Sequence, residues 1–120
     1  MLKTQNSNKY RELENRTFLF ARKCRDHIRK LPKTMSNIEY GKQLIRSSGS
    51  QASNYIEANE SLSKKDFIHR IKICRKETKE SGLWLNLIEP NEPDKKEQET
   101  LITEVEELRK IFSAILDKSI

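Results

Sequence analysis

The stretch that decides the fold is SKKDFIHRIKICRKETKESGLWLNLI, residues 63–88. A row of apolar and small side chains runs through it at alternating steps of four and three, the repeat of a helix face packed in a bundle. That row consists of Phe67, Ile71, Cys74, Thr78, Ser81, Leu85 and Ile88. Ser63 followed by Asp66 is a variant of the capping box, which predicts where this helix begins.

The preceding segment predicts another helix, beginning near Ser36 or Asn37, since both residue types are good N-caps. Its apolar and small positions are Gly41, Leu44, Ile45, Ser48, Ala52, Tyr55, Ile56 and Asn59. A small-residue patch, residues 47–53, lies on or beside this row and would let another helix approach closely. Gly49 costs about 1 kcal/mol relative to alanine inside a helix, so we expect a packing reason for it.

Two further helices flank this pair. The first carries Phe20, Cys24, Ile28 and Leu31 on one face and ends before Pro32, because the residue before proline avoids helical geometry. The fourth follows a break at Pro90 and Pro93, with Asp94 as its expected cap. Its apolar row is Leu101, Val105, Leu108, Phe112 and Ile115, widened by Ile111 and Leu116.

The domain organisation follows from this pattern. Residues 1–12 are polar and without periodicity, so we expect a flexible lead-in there and a four-helix bundle domain over 13–120. The connections are short, and short connections favour antiparallel up-down-up-down packing. The predicted fold class is therefore an all-α antiparallel four-helix bundle.

Charge is unevenly distributed over the 120 residues, whose net charge is +6. Residues 1–36 carry +7, residues 37–62 carry −1, residues 63–88 carry +4 and residues 89–120 carry −4. A basic half permits binding to polyanions, although a basic helix face is often only a solvated face.

Cysteine usage and hydropathy restrict the class of protein. Cys24 and Cys74 lie in separate apolar rows and form no C-x-x-C pair, so we expect two reduced, buried thiols in a cytoplasmic protein. No apolar run approaches the length of a membrane span, and no apolar signal region begins the chain. We therefore expect no membrane partner.

Catalysis has little support in the sequence. His27 and His69 are lone histidines on mostly charged helix faces, with no predictable partner for general acid–base work. Glu77 and Glu80 lack an accompanying Glu-x-x-His, so a di-metal carboxylate site is not expected. Glycine-rich phosphate loops and serine-nucleophile motifs do not occur. We expect no enzyme activity, no metal and no cofactor.

The order of motifs resembles the four-helix-bundle family of large-subunit ribosomal RNA intervening-sequence proteins. The resemblance covers roughly residues 15–118, and the residues that carry it are Arg46, Ser50, Ala52, Asn54, Glu57, Ser63, Asp66, Phe67, Glu77, Glu80 and Trp84. Members commonly carry proline in the small patch and glycine after the glutamate, where this chain has Gln51 or a neighbour and Ala58.

The resemblance implies assembly into a ring-shaped homo-oligomer, with a pentamer expected. It also implies a distant relation to the accessory variability protein of diversity-generating retroelements, a basic pentameric barrel that binds nucleic acid and reverse transcriptase. The family name reflects gene location inside ribosomal RNA insertions rather than a ribosomal role.

A first set of candidate site residues is polar: Arg46, Asn54, Glu57, Glu77 and Glu80. Asn54 and Glu57 are neighbours on a helix surface, because they are three residues apart. These residues could form a hydrogen-bonded seam within the bundle or at an oligomer interface. They could instead line a ligand or nucleic-acid site in a pore, or simply face solvent.

A second set is basic and is the candidate nucleic-acid-binding set: Arg22, Arg25, Arg29, Lys30, Lys65, Lys72, Arg75, Lys76 and Lys79. In an antiparallel bundle the first and third helices could share one basic surface, which would bind an RNA or DNA backbone through counterion release. Few aromatic residues lie nearby, so base stacking is not strongly indicated. The sequence favours a non-catalytic, oligomeric nucleic-acid-binding accessory factor; the alternative is a structural module that binds a protein partner and no nucleic acid.

Overall fold

The computed structural model describes the backbone of residues 7–120 and the side chains of residues 11–120. Helices α1 (Ser7–Arg29), α2 (Met35–Asn59), α3 (Lys64–Leu87) and α4 (Lys95–Ser119) make up nearly all of it, with a short 3₁₀ turn at Glu92–Asp94. Over this part of the chain there is no β-strand. The predicted all-α class and the number of helices are confirmed.

The helix ends differ from prediction at two places. Helix α1 begins at Ser7, so the expected start at Leu13 is wrong; no apolar row marks residues 7–12. The rest of the predicted lead-in, residues 1–6, lies outside the described residues. Helix α2 is capped by Thr34, whose Oγ1 accepts a hydrogen bond from the Asn37 backbone N–H at 3.1 Å, so Ser36 and Asn37 are not the cap.

The cap of α3 is the one predicted. Ser63 has extended backbone geometry, and its Oγ accepts a hydrogen bond from the Asp66 backbone N–H at 3.1 Å. Satisfying one of the orphan amides of the first turn in this way stabilises a helix start by about 1 kcal/mol. Asp94 occupies the N-cap position of α4 but makes no side-chain cap bond there.

Each helix packs against two neighbours: α1 against α2 and α4, and α3 against the same two. The four helices therefore enclose one core in a bundle with extents of 46 × 22 × 19 Å. Among its fully buried side chains are Phe20, Leu44, Ile71, Leu85, Leu108 and Phe112. Helices α1 and α3 lie diagonally across this core and share no substantial interface in the described chain.

The predicted core row of α3 is confirmed, because all seven of its residues are buried. In α1 the buried row is Leu13, Thr17, Phe20, Cys24 and His27, continued by Leu31 just after the helix, and the predicted Ile28 is only half-buried. In α2 it is Asn37, Gly41, Leu44, Ser48, Gln51, Tyr55 and Ala58. Ile45 and Ile56, expected in the core, are each 50 % exposed.

Polar core residues make specific bonds between segments. Asn37 Nδ2 donates to the carbonyls of Pro32 and Glu89, both at 3.0 Å, and Asn37 Oδ1 accepts from the Glu89 backbone N–H. Gln51 Nε2 donates to the Thr17 carbonyl of α1 at 2.9 Å. Asn37 thus joins the α1–α2 and α3–α4 connections, while Gln51 joins two helices.

The small-residue patch of α2 allows the close helix contact that was predicted. Ser47 is fully buried, and its Oγ lies 2.8 Å from Ser81 Oγ of α3. Ser48 is buried as well, and Ala52 is half-buried. Gly49 does not share this role, because a Cβ added there would meet no atom within 4 Å. The packing reason expected for Gly49 is therefore not present within the bundle.

Replacement of Gly49 by alanine should raise the free energy of unfolding by about 0.4–1 kcal/mol, because alanine has the higher helix propensity and a less mobile unfolded chain. Urea unfolding followed by circular dichroism would measure the change. Gly82→Ala is a suitable comparison, since a Cβ there would lie 3.4 Å from Val105 Cγ1. A destabilised Gly49→Ala protein whose oligomer mass is unchanged would contradict the open surroundings of this residue.

Candidate nucleic-acid interface

The polar candidates are only partly brought together. Asn54 connects α2 and α3: its Nδ2 donates to the Ser50 carbonyl at 2.9 Å, and its Oδ1 accepts from Arg70 Nη1 at 3.0 Å. Arg46 and Glu57 are exposed and take no part in this contact. Their candidate role at an oligomer interface stays a prediction. Sequence reasoning counted Arg70 among the cations of the third helix but did not predict it as the partner of Asn54.

The two acidic candidates of α3 have different surroundings. Glu77 is buried, with its Oε2 3.8 Å from Lys76 Nζ, and its Oε1 has no hydrogen-bond partner among the described residues. Glu80 is half-buried and lies beside a cleft between α3 and α4. The carboxylates therefore form no shared site.

His27 differs from its prediction as a lone histidine on a charged face. Its side chain is fully buried, and its Nδ1 lies 2.6 Å from Glu97 Oε1 of α4. Lys30 Nζ contacts the same carboxylate at 2.9 Å. The hydrogen bonds from Lys30 and His27 lower the pKa of Glu97 below its ordinary value. The cluster joins α1 to α4, as does Arg16, which pairs with Glu104 at 2.7 Å.

Most basic candidates of α1 have local partners. Lys30 is paired with Glu97 and lies 3.6 Å from Asp94, and the hydrogen bond to Glu97 raises the pKa of Lys30. Arg25 Nη2 is 3.0 Å from Asp26, and Arg29 Nη1 is 3.8 Å from the same carboxylate. These pairs lower the charge that this helix presents.

The basic candidates of α3 are less neutralised. Lys65, Lys72 and Lys79 are exposed, Arg75 is half-buried, and none of the four pairs with a carboxylate in the described part of the chain. Lys76 has only the longer contact to Glu77. The unpaired positive charge is therefore concentrated on α3.

A cleft of about 480 Å³ brings much of this charge together. Its lining residues are Lys72, Arg75, Lys76, Lys79 and Glu80 from α3, with Arg109 and Ser113 from α4. Arg109 donates to Glu106 Oε1 from Nη2 at 3.0 Å and from Nε at 3.2 Å. The cleft thus has five cationic side chains and one carboxylate along its walls.

The cleft continues along the bundle. A second hollow of about 270 Å³ shares Lys79 and Arg109 with it and extends to Asn86. From Lys72 to Asn86 the helix rises about 21 Å, at about 1.5 Å per residue. The two hollows together form the α3–α4 groove, which has the extended shape that a polymer chain requires.

A basic surface shared by α1 and α3 is not what the packing favours, because the two helices lie diagonally across the core. The partner of α3 at the groove is α4, which sequence reasoning treated as acidic. Arg109 was missed for that reason. Its position three residues after Glu106 and directly after Leu108, beside the apolar row, was the available signal.

The two cysteines are buried and unpaired, as predicted. Burial raises the pKa of the Cys74 thiol to about 12. It also raises the pKa of Cys24, against the opposing effect of a hydrogen bond with Ser48. Protonated, buried thiols are poor nucleophiles, so these side chains serve in packing.

Neither a metal site nor a membrane-spanning helix is found among the described residues. No three histidine, cysteine, aspartate or glutamate side chains between residues 11 and 120 are grouped closely enough to hold a metal ion. None of the helices in the described chain combines the length and apolar character needed to cross a membrane.

Comparison with known proteins gives one match. The family model described as 23S rRNA-intervening sequence protein matches residues 10–114. This range covers most of α1, all of α2 and α3, and α4 to within one turn and a half of its end. No curated protein and no solved structure matched the chain.

Proposed function

Because the chain belongs to the 23S rRNA-intervening sequence protein family, we propose that it is a non-catalytic helical-bundle protein that acts as a nucleic-acid-binding accessory factor. The observation that carries the proposal is the α3–α4 groove, which has five cationic side chains against the carboxylates of Glu80 and Glu106, the latter paired with Arg109. Such a groove suits the phosphate backbone, which supplies the larger part of non-specific nucleic-acid affinity.

Spacing along α3 supports a linear polyanion as the ligand. Lys72, Arg75, Lys76 and Lys79 follow one another on the groove side of the helix over about 10 Å. Successive phosphates of one strand are about 3.4 Å apart along a duplex axis, so this row could face about three of them. Contacts of this kind position a strand without reading its sequence. The distant relation to the retroelement accessory protein stays a prediction.

A salt-dependent titration tests the function. Fluorescence anisotropy with labelled RNA and DNA oligonucleotides should show binding at about 50 mM salt, and log K should fall linearly with log salt concentration. The slope should correspond to at least three phosphate contacts. Absence of binding at low salt, or binding that does not change with salt, would contradict the proposal.

The proposal includes self-association of an antiparallel, up-down-up-down bundle. Support for this topology comes from the order of the cross-helix pairs, since Asn54 of α2 meets Arg70 while the earlier Ser47 meets the later Ser81.

A second apolar row of α2 supports self-association. It consists of Ile38, Ile45, Gly49, Ala52 and Ile56, and its three isoleucines are 44–50 % exposed.

A second copy is the expected occupant of this α2 row, because it has small residues at its centre and isoleucines at both ends. The family resemblance adds the expectation of a ring, with five copies. Light scattering should give a mass several times 14.2 kDa. A monomer at micromolar concentration would contradict this part of the proposal and leave the groove unaffected.

The second candidate function is a structural or protein-interaction module without a nucleic-acid role. The exposed isoleucines of α2 favour it, because contiguous apolar surface marks protein contacts. Oligomers that bind neither RNA nor DNA in the titration would select this alternative. Under either function we propose a cytoplasmic location, because the two cysteines are unpaired.

A further inference from the structure

A second feature related to nucleic acid lies on α1. Its outer face carries a row at steps of four, three, four, three and four, which we call the α1 arginine row: Arg11, Asn15, Phe18, Arg22, Arg25 and Arg29. All six side chains are exposed. At 100° per residue the row lies opposite the buried row of the same helix, and it extends for about 27 Å.

Phe18 is the unusual member of this row. It is 52 % exposed and is the one aromatic residue among the large exposed hydrophobic side chains of the described chain. The Arg22 guanidinium carbon lies 5.3 Å from the centre of its ring, a cation–π distance that holds the two side chains together. Lone exposed apolar residues are common, but this ring has a guanidinium over its face.

The row remains positively charged after its ion pairs are counted. It carries four arginines, and Asp26 is the carboxylate that pairs with two of them. Aromatic rings and arginine planes beside a cationic track are the elements with which proteins bind unpaired bases, since every base has a face that stacks. A duplex keeps its bases stacked inside, so its backbone could contact the arginines but no base could reach the ring.

From this arrangement we propose that the α1 arginine row binds single-stranded nucleic acid, with Phe18 and Arg22 forming a stacking platform for an unpaired base. This inference rests on the proposed function and adds the class of strand that the protein prefers. The groove between α3 and α4 holds backbone of either class, and the α1 row selects the unpaired one.

The test compares Phe18→Ala and Phe18→Trp with the unmodified protein. The probes are labelled single strands of about 12 nucleotides, as RNA and as DNA, and hairpin duplexes of the same sequence. Phe18→Ala should weaken single-strand binding about 5- to 100-fold and change duplex binding less than about twofold. Because stacking releases no counterions, the salt slope of single-strand binding should be the same for Phe18→Ala as for the unmodified protein. Phe18→Trp should retain the single-strand affinity.

A matched variant separates stacking from charge. Arg25→Gln with Arg29→Gln should make the single-strand salt slope shallower by up to about 1.4, at about 0.7 for each lost phosphate contact. Equal losses for single strands and duplexes in Phe18→Ala, or no loss, would overturn the inference and leave the groove proposal intact. A smaller oligomer mass in Phe18→Ala would also overturn it, by showing a contact between copies. Failure of the unmodified protein to bind any probe would overturn both proposals.

Discussion

Replacement of Phe112 by alanine should lower the free energy of unfolding by about 3–5 kcal/mol. Phe112 of α4 is fully buried, and its ring centre lies 5.9 Å from that of Tyr55 in a tilted arrangement. The substitution removes a large apolar side chain and its contact with Tyr55. It leaves a cavity in the core between α2 and α4. A loss of this size is a large part of the 5–15 kcal/mol that stabilises a typical domain. Urea unfolding monitored by circular dichroism would measure it.

Phe18→Ala is the matched control, because it removes the same side chain from the exposed outer face of α1. Its effect on the free energy of unfolding should be within about 0.5 kcal/mol, as for most surface substitutions. The same variant is used in the binding test, so this measurement also shows that it folds. Similar losses at the two positions would contradict the assignment of Phe112 to the core and Phe18 to the surface.

The second large effect concerns the groove. Combined replacement of Lys72, Arg75 and Lys79 by glutamine should weaken nucleic-acid binding on the order of 10- to 100-fold at about 50 mM salt. The slope of log K against log salt should become shallower by about 2, because three phosphate contacts are lost. Lys76 is kept in this variant, since it is the cation beside the buried carboxylate of Glu77. Fluorescence anisotropy over a salt series would measure both quantities.

A variant with the same change in net charge serves as the control. Lys33, Lys96 and Lys118 are exposed lysines outside the groove. Their combined replacement by glutamine should leave the affinity within about threefold and the salt slope nearly unchanged, because distant exposed charges are screened. Equal losses in the two triple variants would mean that net charge, and not the groove, determines binding.

The sequence was most informative for α3. Every position of its apolar row is occupied by an apolar or small residue, so the repeat of four and three could be followed without a gap, and Ser63 marked the start. The structure buries all seven positions. A row of this kind predicts the buried face well, because only one face of a helix places all of its positions toward the core.

Helices α1 and α2 were harder because polar residues occupy core positions. His27 lies in the buried row of α1 and Gln51 in that of α2, where each side chain makes a hydrogen bond or ion pair to another helix. A polar residue is buried when a partner satisfies it, and the partner lies far away in sequence. Apolar periodicity alone therefore favoured Ile28 over His27, and placed Ile45 and Ile56 in the core.

The groove could be predicted only in part. The α3 cations were evident from the sequence, but the helix that forms the other wall depends on which elements are neighbours. Arg109 was not considered as a binding residue, because the segment that contains α4 has a negative net charge. Similarly, Lys30 counted as a free cation until the structure placed Glu97 and Asp94 beside it.

Lysine footprinting would test the groove as the binding site most directly. The protein is treated with an acetylating reagent in the presence and absence of a single-stranded oligonucleotide, and the modified lysines are counted by mass spectrometry. We expect Lys72 and Lys79 to be protected several-fold by the oligonucleotide, while Lys33, Lys96 and Lys118 react at the same rate in both samples. Unchanged reactivity of Lys72 and Lys79 under conditions where the oligonucleotide is bound would contradict the account.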